Sequence, residues 1–73
     1  ILNDLKNKTF MDLKNTTLLK LNNNKISLIE NDVFSYLSGL QILELNSNNL
    51  NKISNFLFSY LNKLEHLDLS NNK

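Results

Sequence analysis

The sequence predicts an α/β-type repeat fold, a solenoid in which short parallel strands stack one above the next. Three observations predict it. The stretch LELNSNNL at 43–50 has counterparts in LKLNNNKI at 19–26 and LDLSNNK at 67–73, at a constant spacing of 24 residues. Phenylalanine recurs at the same interval, at Phe10, Phe34 and Phe58. Neither a helical nor a strand period imposes a 24-residue recurrence, so one repeating unit must account for these features.

Length and composition exclude several classes of function. The 73 residues carry a net charge of +1 with both signs interspersed, so we expect no nucleic-acid partner. The longest apolar runs are three residues or fewer, and we expect no membrane contact from this segment. Cysteine is absent, which removes a disulfide framework and thiolate metal ligands. We therefore expect no cofactor and no metal.

The strands follow from alternation within each unit. With Thr16 as position 1 of a unit, positions 3–5 predict strands at 18–20, 42–44 and 66–68. Alternation directs positions 4 and 6 inward and positions 3 and 5 outward. The inward positions all hold leucine, at Leu19, Leu21, Leu43, Leu45, Leu67 and Leu69. Successive strands should then lie side by side, about 4.8 Å apart.

Asparagine at position 9 is predicted to support the turn after each strand. The chain must turn sharply there, and an unpaired buried backbone group costs about 1–3 kcal/mol. An asparagine amide both donates and accepts, so it suits that location. We expect inward-pointing side chains with a structural role at Asn24, Asn48 and Asn72.

The return side of each unit holds asparagine at position 16 and phenylalanine at position 19. The asparagines, Asn7, Asn31 and Asn55, predict Asx turns or caps on short helical turns. The phenylalanines should stack and fill the other half of the core.

These columns resemble the leucine-rich repeat, LxxLxLxxNxLxxLxxxxFxxLxx, in the 24-residue subtype found in Toll-like receptors, Slit-type guidance proteins and variable lymphocyte receptors. Residues 40–63 match throughout, and 16–39 match except at Thr16. Residues 1–15 are expected to be the tail of a preceding unit and 64–73 the start of a following one, in a segment of a longer array. Position 15 lacks the proline that this family often carries.

The resemblance implies a right-handed, curved solenoid. Its strands would line the concave face, and loops or short helical turns would form the convex face. It also implies a binding function, in a receptor ectodomain or a secreted protein. Extracellular members usually carry their disulfides in terminal caps, so the absence of cysteine says little about compartment.

Catalysis is not expected. His66 is the single histidine, and a nucleophilic triad would need His66, Asp68 and Ser70 along one outward strand edge. Neither oxyanion donors nor a glycine-rich turn accompany them. His66 and Asp68 are also too few to hold a metal ion.

The outward side chains of the strands are the predicted ligand-binding residues. They are Thr17, Leu18, Lys20, Asn22, Gln41, Ile42, Glu44, Asn46, Glu65, His66, Asp68 and Ser70. We expect a protein or other macromolecule to rest on this face, with Leu18 and Ile42 as apolar contacts. Glu44 beside Asp68 would favour a basic partner. The alternative is a solvated sheet whose ligand binds elsewhere in the array.

Two N-glycosylation motifs begin at Asn7 and Asn15, although a chain rich in asparagine, serine and threonine produces such motifs by chance. Occupied sites would place the protein outside the cell. The expected function is therefore recognition by an extracellular repeat domain. The alternatives are an intracellular scaffold or adaptor and a structural, matrix-organising protein.

Overall fold

The computed structural model describes residues 3–54 and 56–72, and five short strands lie within them. They are β1 (Asp4–Leu5), β2 (Leu18–Lys20), β3 (Leu28–Ile29), β4 (Ile42–Glu44) and β5 (His66–Asp68). No helix occurs in these residues, so turns connect the strands.

Strands β2, β4 and β5 form one parallel sheet in that order. Leu19 pairs with Leu43, and Leu43 pairs with Leu67, so each residue lies beside the one 24 positions away. This register confirms the predicted strands and their parallel stacking. It also makes the sequence repeat a spatial repeat.

The backbone bonds continue with the same spacing beyond the strands. The Leu21 amide donates to the Glu44 carbonyl at 2.8 Å, and the Leu45 amide donates to the Asp68 carbonyl at 2.9 Å. The Asn23 amide likewise donates to the Asn46 carbonyl at 3.1 Å. Each unit therefore hydrogen-bonds to the next through both the strand and the start of the following turn.

A second sheet, which the sequence pattern did not predict, pairs β1 with β3 in parallel. Asp4 pairs with Leu28 and Leu5 pairs with Ile29, again 24 residues apart. This pairing lies in the part of the unit that leaves the three-stranded sheet, on what we call the lateral side.

The return side consists of tight turns. The amide of Leu37 donates to the carbonyl of Phe34 at 3.0 Å, and the amide of Leu40 donates to Leu37 at 3.1 Å. These bonds span three residues, and no α-helical ladder follows them in the described residues, so the short helical turns suggested for this side are not helices.

Asn7 does not act as the local cap that the sequence predicted. Its Oδ1 accepts the amide of Asp32, in the next unit, at 3.0 Å. The bond therefore links two units and leaves the turn of Asn7 itself uncapped by this oxygen. Asn55, for which the same role was predicted, lies outside the described residues.

Phenylalanine stacking fills the return half of the core. The Phe34 ring lies 6.3 Å from that of Phe10 and 5.9 Å from that of Phe58, measured between centroids, and both pairs are stacked. Phe34 is fully buried between its two neighbours. This confirms the predicted column.

Leucine burial is complete in the middle unit and weaker at the outer ones. Leu43 and Leu45 are fully buried, whereas Leu67, predicted to point inward, is 36% exposed. Leu67 belongs to β5, which has a paired strand on one side only in the described residues. Burial therefore depends on having a neighbouring unit on each side.

Candidate ligand-binding face

The three-stranded sheet arranges its outward side chains in rows. We call the surface formed by the twelve predicted ligand-binding residues the sheet face. Its apolar row runs from Leu18, 46% exposed, across half-buried Ile42 to exposed His66. Because the register fixes these neighbours, residues 24 apart in the chain meet on one surface.

The second row carries charge. Lys20 pairs in register with Glu44, and Glu44 with Asp68, so one cationic side chain is followed by two acidic ones. Glu44 and Asp68 are half-buried, and Lys20 is exposed. Two neighbouring carboxylates concentrate negative charge on the β5 side of the sheet face.

Asp68 is held as a carboxylate by its local contacts. Its Oδ1 accepts the Ser70 hydroxyl at 2.7 Å and the Ser70 amide at 3.0 Å. These bonds lower the pKa of Asp68 below its ordinary value, the hydroxyl most strongly, and the nearby His66 adds to the effect. The negative charge therefore persists to lower pH than for an ordinary aspartate.

Position 2 of each unit forms one margin of the sheet face. The Thr17 carbonyl accepts the amides of Gln41 and Ile42, and the Gln41 carbonyl accepts those of Glu65 and His66. The backbone of these residues is thereby fixed, while the side chains of Thr17, Gln41 and Glu65 stay exposed. They extend the surface that a ligand could contact.

Position 7 holds Asn22, Asn46 and Ser70. The Oδ1 of Asn46 is buried and has no hydrogen-bond partner in the described structure. The Ser70 hydroxyl, at the same position one unit later, donates to Asp68 instead. Asn46 therefore carries an acceptor without a partner among the described residues, at the centre of this surface.

Position 8 adopts a left-handed backbone in all three units. The φ angles are 59° at Asn23, 61° at Ser47 and 56° at Asn71. Asparagine tolerates this conformation better than most residues, and serine less well. The left-handed conformation was not predicted, although asparagine at position 8 in two of the three units was the signal that could have revealed it.

The position-9 asparagines lie behind the face, against the turn backbone. The Nδ2 of Asn48 donates to the carbonyls of Leu45 and Leu21, each at 3.0 Å, and its Oδ1 accepts the Ile26 amide at 3.1 Å. One buried amide thus satisfies backbone groups of two units.

The two outer members of this column make corresponding contacts. The Nδ2 of Asn72 donates to the Leu45 carbonyl at 2.9 Å, and its Oδ1 accepts the Leu50 amide at 3.0 Å. The Nδ2 of Asn24 donates to the Leu21 carbonyl at 3.1 Å. These side chains stabilise the face from behind and leave its outer surface to other residues.

The twelve residues of the sheet face do not form a nucleophilic triad. The Ser70 hydroxyl donates directly to Asp68, whereas a nucleophilic triad places histidine between serine and acid. Within residues 3–54 and 56–72, no group of three or more histidine, cysteine, aspartate or glutamate side chains could hold a metal ion. The arrangement is suited to contact with a macromolecule.

The two motif asparagines, Asn7 and Asn15, are both exposed. Asn7 uses its Oδ1 to accept the Asp32 amide. Its Nδ2, the atom to which a glycan would be attached, donates to none of the described residues.

The chain is a stack of 24-residue units whose outward side chains form rows in register. This arrangement defines a repeat protein with a surface suited to binding. The chain belongs to the leucine-rich repeat family, whose model, "Leucine rich repeat", matches residues 1–50 and 23–73. Domains of this family generally mediate protein–protein interactions and are typically not enzymes. A comparison with curated proteins returned no match. The described part of the chain has no helix with the length and hydropathy needed to traverse a bilayer.

Proposed function

We propose that this chain recognises a protein ligand through the sheet face. In this proposal the face is the concave side of a right-handed, curved solenoid of the 24-residue subtype. The observation that carries the proposal is the register, which sets exposed Leu18 beside Ile42 and Glu44 beside Asp68. An array of rows offers a wide contact area, which suits a protein better than a small molecule.

The chemistry of the rows indicates the kind of ligand. Leu18 and Ile42 provide an apolar strip, and Glu44 and Asp68 provide adjacent carboxylates. A ligand surface with an apolar side chain next to lysine or arginine would bury the strip and relieve the repulsion between the carboxylates. The lowered pKa of Asp68 keeps that attraction present at acidic pH as well as at neutral pH.

Charge reversal and loss of the apolar contact test this proposal. In the full chain, Ile42→Ser and Glu44→Lys should each weaken binding of a captured protein partner roughly tenfold or more, which corresponds to about 1.4 kcal/mol. Surface plasmon resonance measures the affinity, and circular dichroism checks that the variants remain folded. Ser35→Lys, on the exposed return side, serves as the control that should bind normally. A partner that binds both sheet-face variants as tightly as wild type would contradict the proposal.

We also propose an extracellular setting, as a receptor ectodomain or secreted protein. The resemblance to extracellular repeats supports it, as does the exposure of Asn7 and Asn15. Treating the protein from its native source with an N-glycosidase should reduce its mass, and Asn7→Gln with Asn15→Gln should remove that change. A native protein that carries no glycan at either position would argue against this setting.

A further inference from the structure

The return-side turns of the second and third units are built by the same hydrogen bonds. The carbonyl of Asp32 accepts the amide of Ser35 at 3.1 Å and the hydroxyl of that serine at 2.7 Å. The carbonyl of Phe56 accepts the amide and the hydroxyl of Ser59 at the same two distances, 3.1 Å and 2.7 Å. Asp32 and Phe56, both at position 17, therefore occupy equivalent places in their turns, one unit apart.

The spacing between these two turns is set by the core beneath them. Phe34 and Phe58 follow position 17 by two residues, and their rings stack with centroids 5.9 Å apart. Tyr60 crosses the same gap, because its hydroxyl donates to Oδ1 of Asp32 at 2.6 Å. Asp32, Phe56 and Tyr60 are thereby held in one small area, which we call the return-side patch.

The three residues of the return-side patch are all exposed. Phe56 is 77% exposed and Tyr60 is 38% exposed. Position 17 is also exposed at Lys8 and Asp32, although each of these has a described unit stacked after it. The exposure of Phe56 is therefore what its position in the unit predicts. Two exposed aromatic side chains in one turn indicate a contact surface.

The carboxylate of Asp32 supplies the patch with a negative charge. It forms no ion pair with a described residue, and the Tyr60 hydroxyl is a neutral donor that leaves the charge in place. The Oδ2 of Asp32 accepts no hydrogen bond from the described residues. Glu30, two residues earlier, also keeps its charge, because its Oε1 accepts the neutral amide of Asn7 at 2.6 Å.

The nearby lysines lie outside the return-side patch. The row at position 17 consists of Lys8, Asp32 and Phe56, so the carboxylate lies between a cation and an aromatic ring. Lys8 forms no ion pair with a described residue. In the third unit, Lys52 at position 13 belongs to the lateral side, and Lys63 at position 24 precedes the next strand by two residues. The side of the carboxylate that faces Phe56 therefore carries an aromatic surface without a cation of its own.

We propose that the return-side patch binds an arginine side chain of a protein partner. The guanidinium would lie over the Phe56 ring and donate to Oδ2 of Asp32, while Tyr60 holds Oδ1 of the same carboxylate. A guanidinium both stacks on aromatic rings and pairs with carboxylates through a planar set of donors, whereas an ammonium is a strongly hydrated point charge. The patch is separate from the sheet face, so the chain would offer partners two surfaces.

The test uses the full chain, labelled with ¹⁵N, and three pools of capped heptapeptides. The pools carry arginine, lysine or citrulline at the centre among alanine, glycine and serine, and citrulline has the shape of arginine without its charge. The arginine pool should shift the amide resonances of 32 and 56–60, the lysine pool should bind there roughly threefold more weakly, and the citrulline pool should leave them unchanged. No shifts from the arginine pool, or equal affinity for arginine and either other pool, would overturn the proposal.

Stacking on the ring has a spectroscopic signature of its own. Arginine side-chain protons that lie over the Phe56 ring should move upfield, because the ring current opposes the applied field above the ring face. Phe56→Leu keeps an apolar side chain and removes the ring, so it should abolish this shift and weaken binding of the arginine pool roughly threefold or more. An upfield shift that persists in Phe56→Leu would overturn the assignment.

A charge variant tests the carboxylate. Asp32→Asn removes the negative charge and keeps the backbone amide that donates to Asn7. It should weaken binding of the arginine pool roughly threefold to fivefold, whereas Asp12→Asn, an equal charge change at another exposed aspartate, should not. Circular dichroism checks that both variants remain folded. Unchanged affinity in Asp32→Asn would overturn the site.

Two further variants separate this site from its surroundings and from the sheet face. Lys8→Gln removes the cation beside Asp32, so it should strengthen binding of the arginine pool roughly twofold. Glu44→Lys alters the sheet face alone, so the shifts at 56–60 should persist in it even if the sheet face binds no ligand. Weaker binding in Lys8→Gln, or loss of the shifts at 56–60 in Glu44→Lys, would overturn the proposal.

Discussion

The strand side and the lateral side of the solenoid are built from the same 24-residue unit, yet they differ in uniformity. On the strand side, β2, β4 and β5 pair in one register, and the bonds from Leu21 to Glu44 and from Leu45 to Asp68 are equivalent. On the lateral side, the contact between the first and second units, the first lateral junction, has the β1–β3 strand pair, whereas the contact between the second and third units, the second lateral junction, has no strand pair among the described residues.

The difference shows which positions of the unit keep the contacts between neighbouring units equivalent. Positions 4 and 6 hold leucine and position 9 holds asparagine in all three units, so each unit offers its neighbour the same buried side chains and the same amide at the turn. Lateral position 15 changes from Glu30 to Ser54, and position 17 changes from Asp32 to Phe56. Neighbouring units therefore pair their backbones in the same way only where the side chains that bridge the two units are repeated as well.

The largest expected effect contrasts two phenylalanines. Phe34→Ala should destabilise the fold by about 3–5 kcal/mol, because the ring is fully buried between Phe10 and Phe58. Phe56→Ala, at an exposed lateral position, should change the free energy of unfolding by less than about 0.5 kcal/mol. Denaturant unfolding of the full chain measures both. Similar losses in the two variants would mean that Phe56 also contributes to the core.

The next effect contrasts two asparagines of the same turn, two residues apart. Asn48→Ala should cost about 1–3 kcal/mol, because the Ile26 amide and the Leu21 and Leu45 carbonyls lose their partner. Asn46→Ala removes an acceptor that is already unpaired, so its cost should stay within about 0.5 kcal/mol. Thermal melts of both variants provide the measurement, and an Asn48→Ala variant as stable as wild type would show that the amide is dispensable.

A smaller effect separates the two lateral junctions. Asn7→Ala should cost about 0.5–1.5 kcal/mol and speed hydrogen exchange at the Asp32 amide, which loses its acceptor. Asn31→Ala, at the same position of the next unit, should have little effect, because the Phe56 amide bonds to Ser54. Hydrogen exchange followed by NMR distinguishes the two. Equal protection losses at Asp32 and Phe56 would contradict the asymmetry.

The smallest effect is pH-dependent. The Tyr60 pKa is raised above its ordinary value of 10.0, chiefly by the hydroxyl's bond to Asp32, with burial and the Asp32 charge adding to it. A raised pKa means that the stabilisation is present below pH 10.0 and is lost as pH rises through the raised value. Ultraviolet titration should show Asp32→Asn lowering the Tyr60 pKa, while Glu65→Gln leaves it unchanged. A Tyr60 pKa that is the same in Asp32→Asn would disprove the link.

Much of the fold could be predicted because its determinants recur. Leucines in columns fixed the three strands of the main sheet, and the spacing of Phe10, Phe34 and Phe58 placed them in one stack. The rows of the sheet face follow from the register. A surface row specifies the chemistry that a ligand must match, so the sequence predicts the residues of the sheet face and the charge and apolar character of its rows.

Features at positions whose residue type differs between the units were not predicted. Val33 and Leu57 are both buried, but Thr9 occupies their position in the first unit, so the pattern concealed a core site. Strand β3 and the second lateral junction depend on the reach of single side chains such as Glu30 and Ser54. Period-based reasoning treats such positions as equivalent, and their differences appear only when the contacts between units are known.

The open second lateral junction also has an evolutionary consequence. Inserting or deleting one residue near Leu43 would shift a buried leucine onto the outer surface and break the pairing with both neighbouring strands. A length change between Lys52 and Phe56 crosses no inter-unit bond of the described backbone, so the solenoid can absorb it. We therefore expect natural variation in loop length to accumulate at this junction while the strand side remains intact.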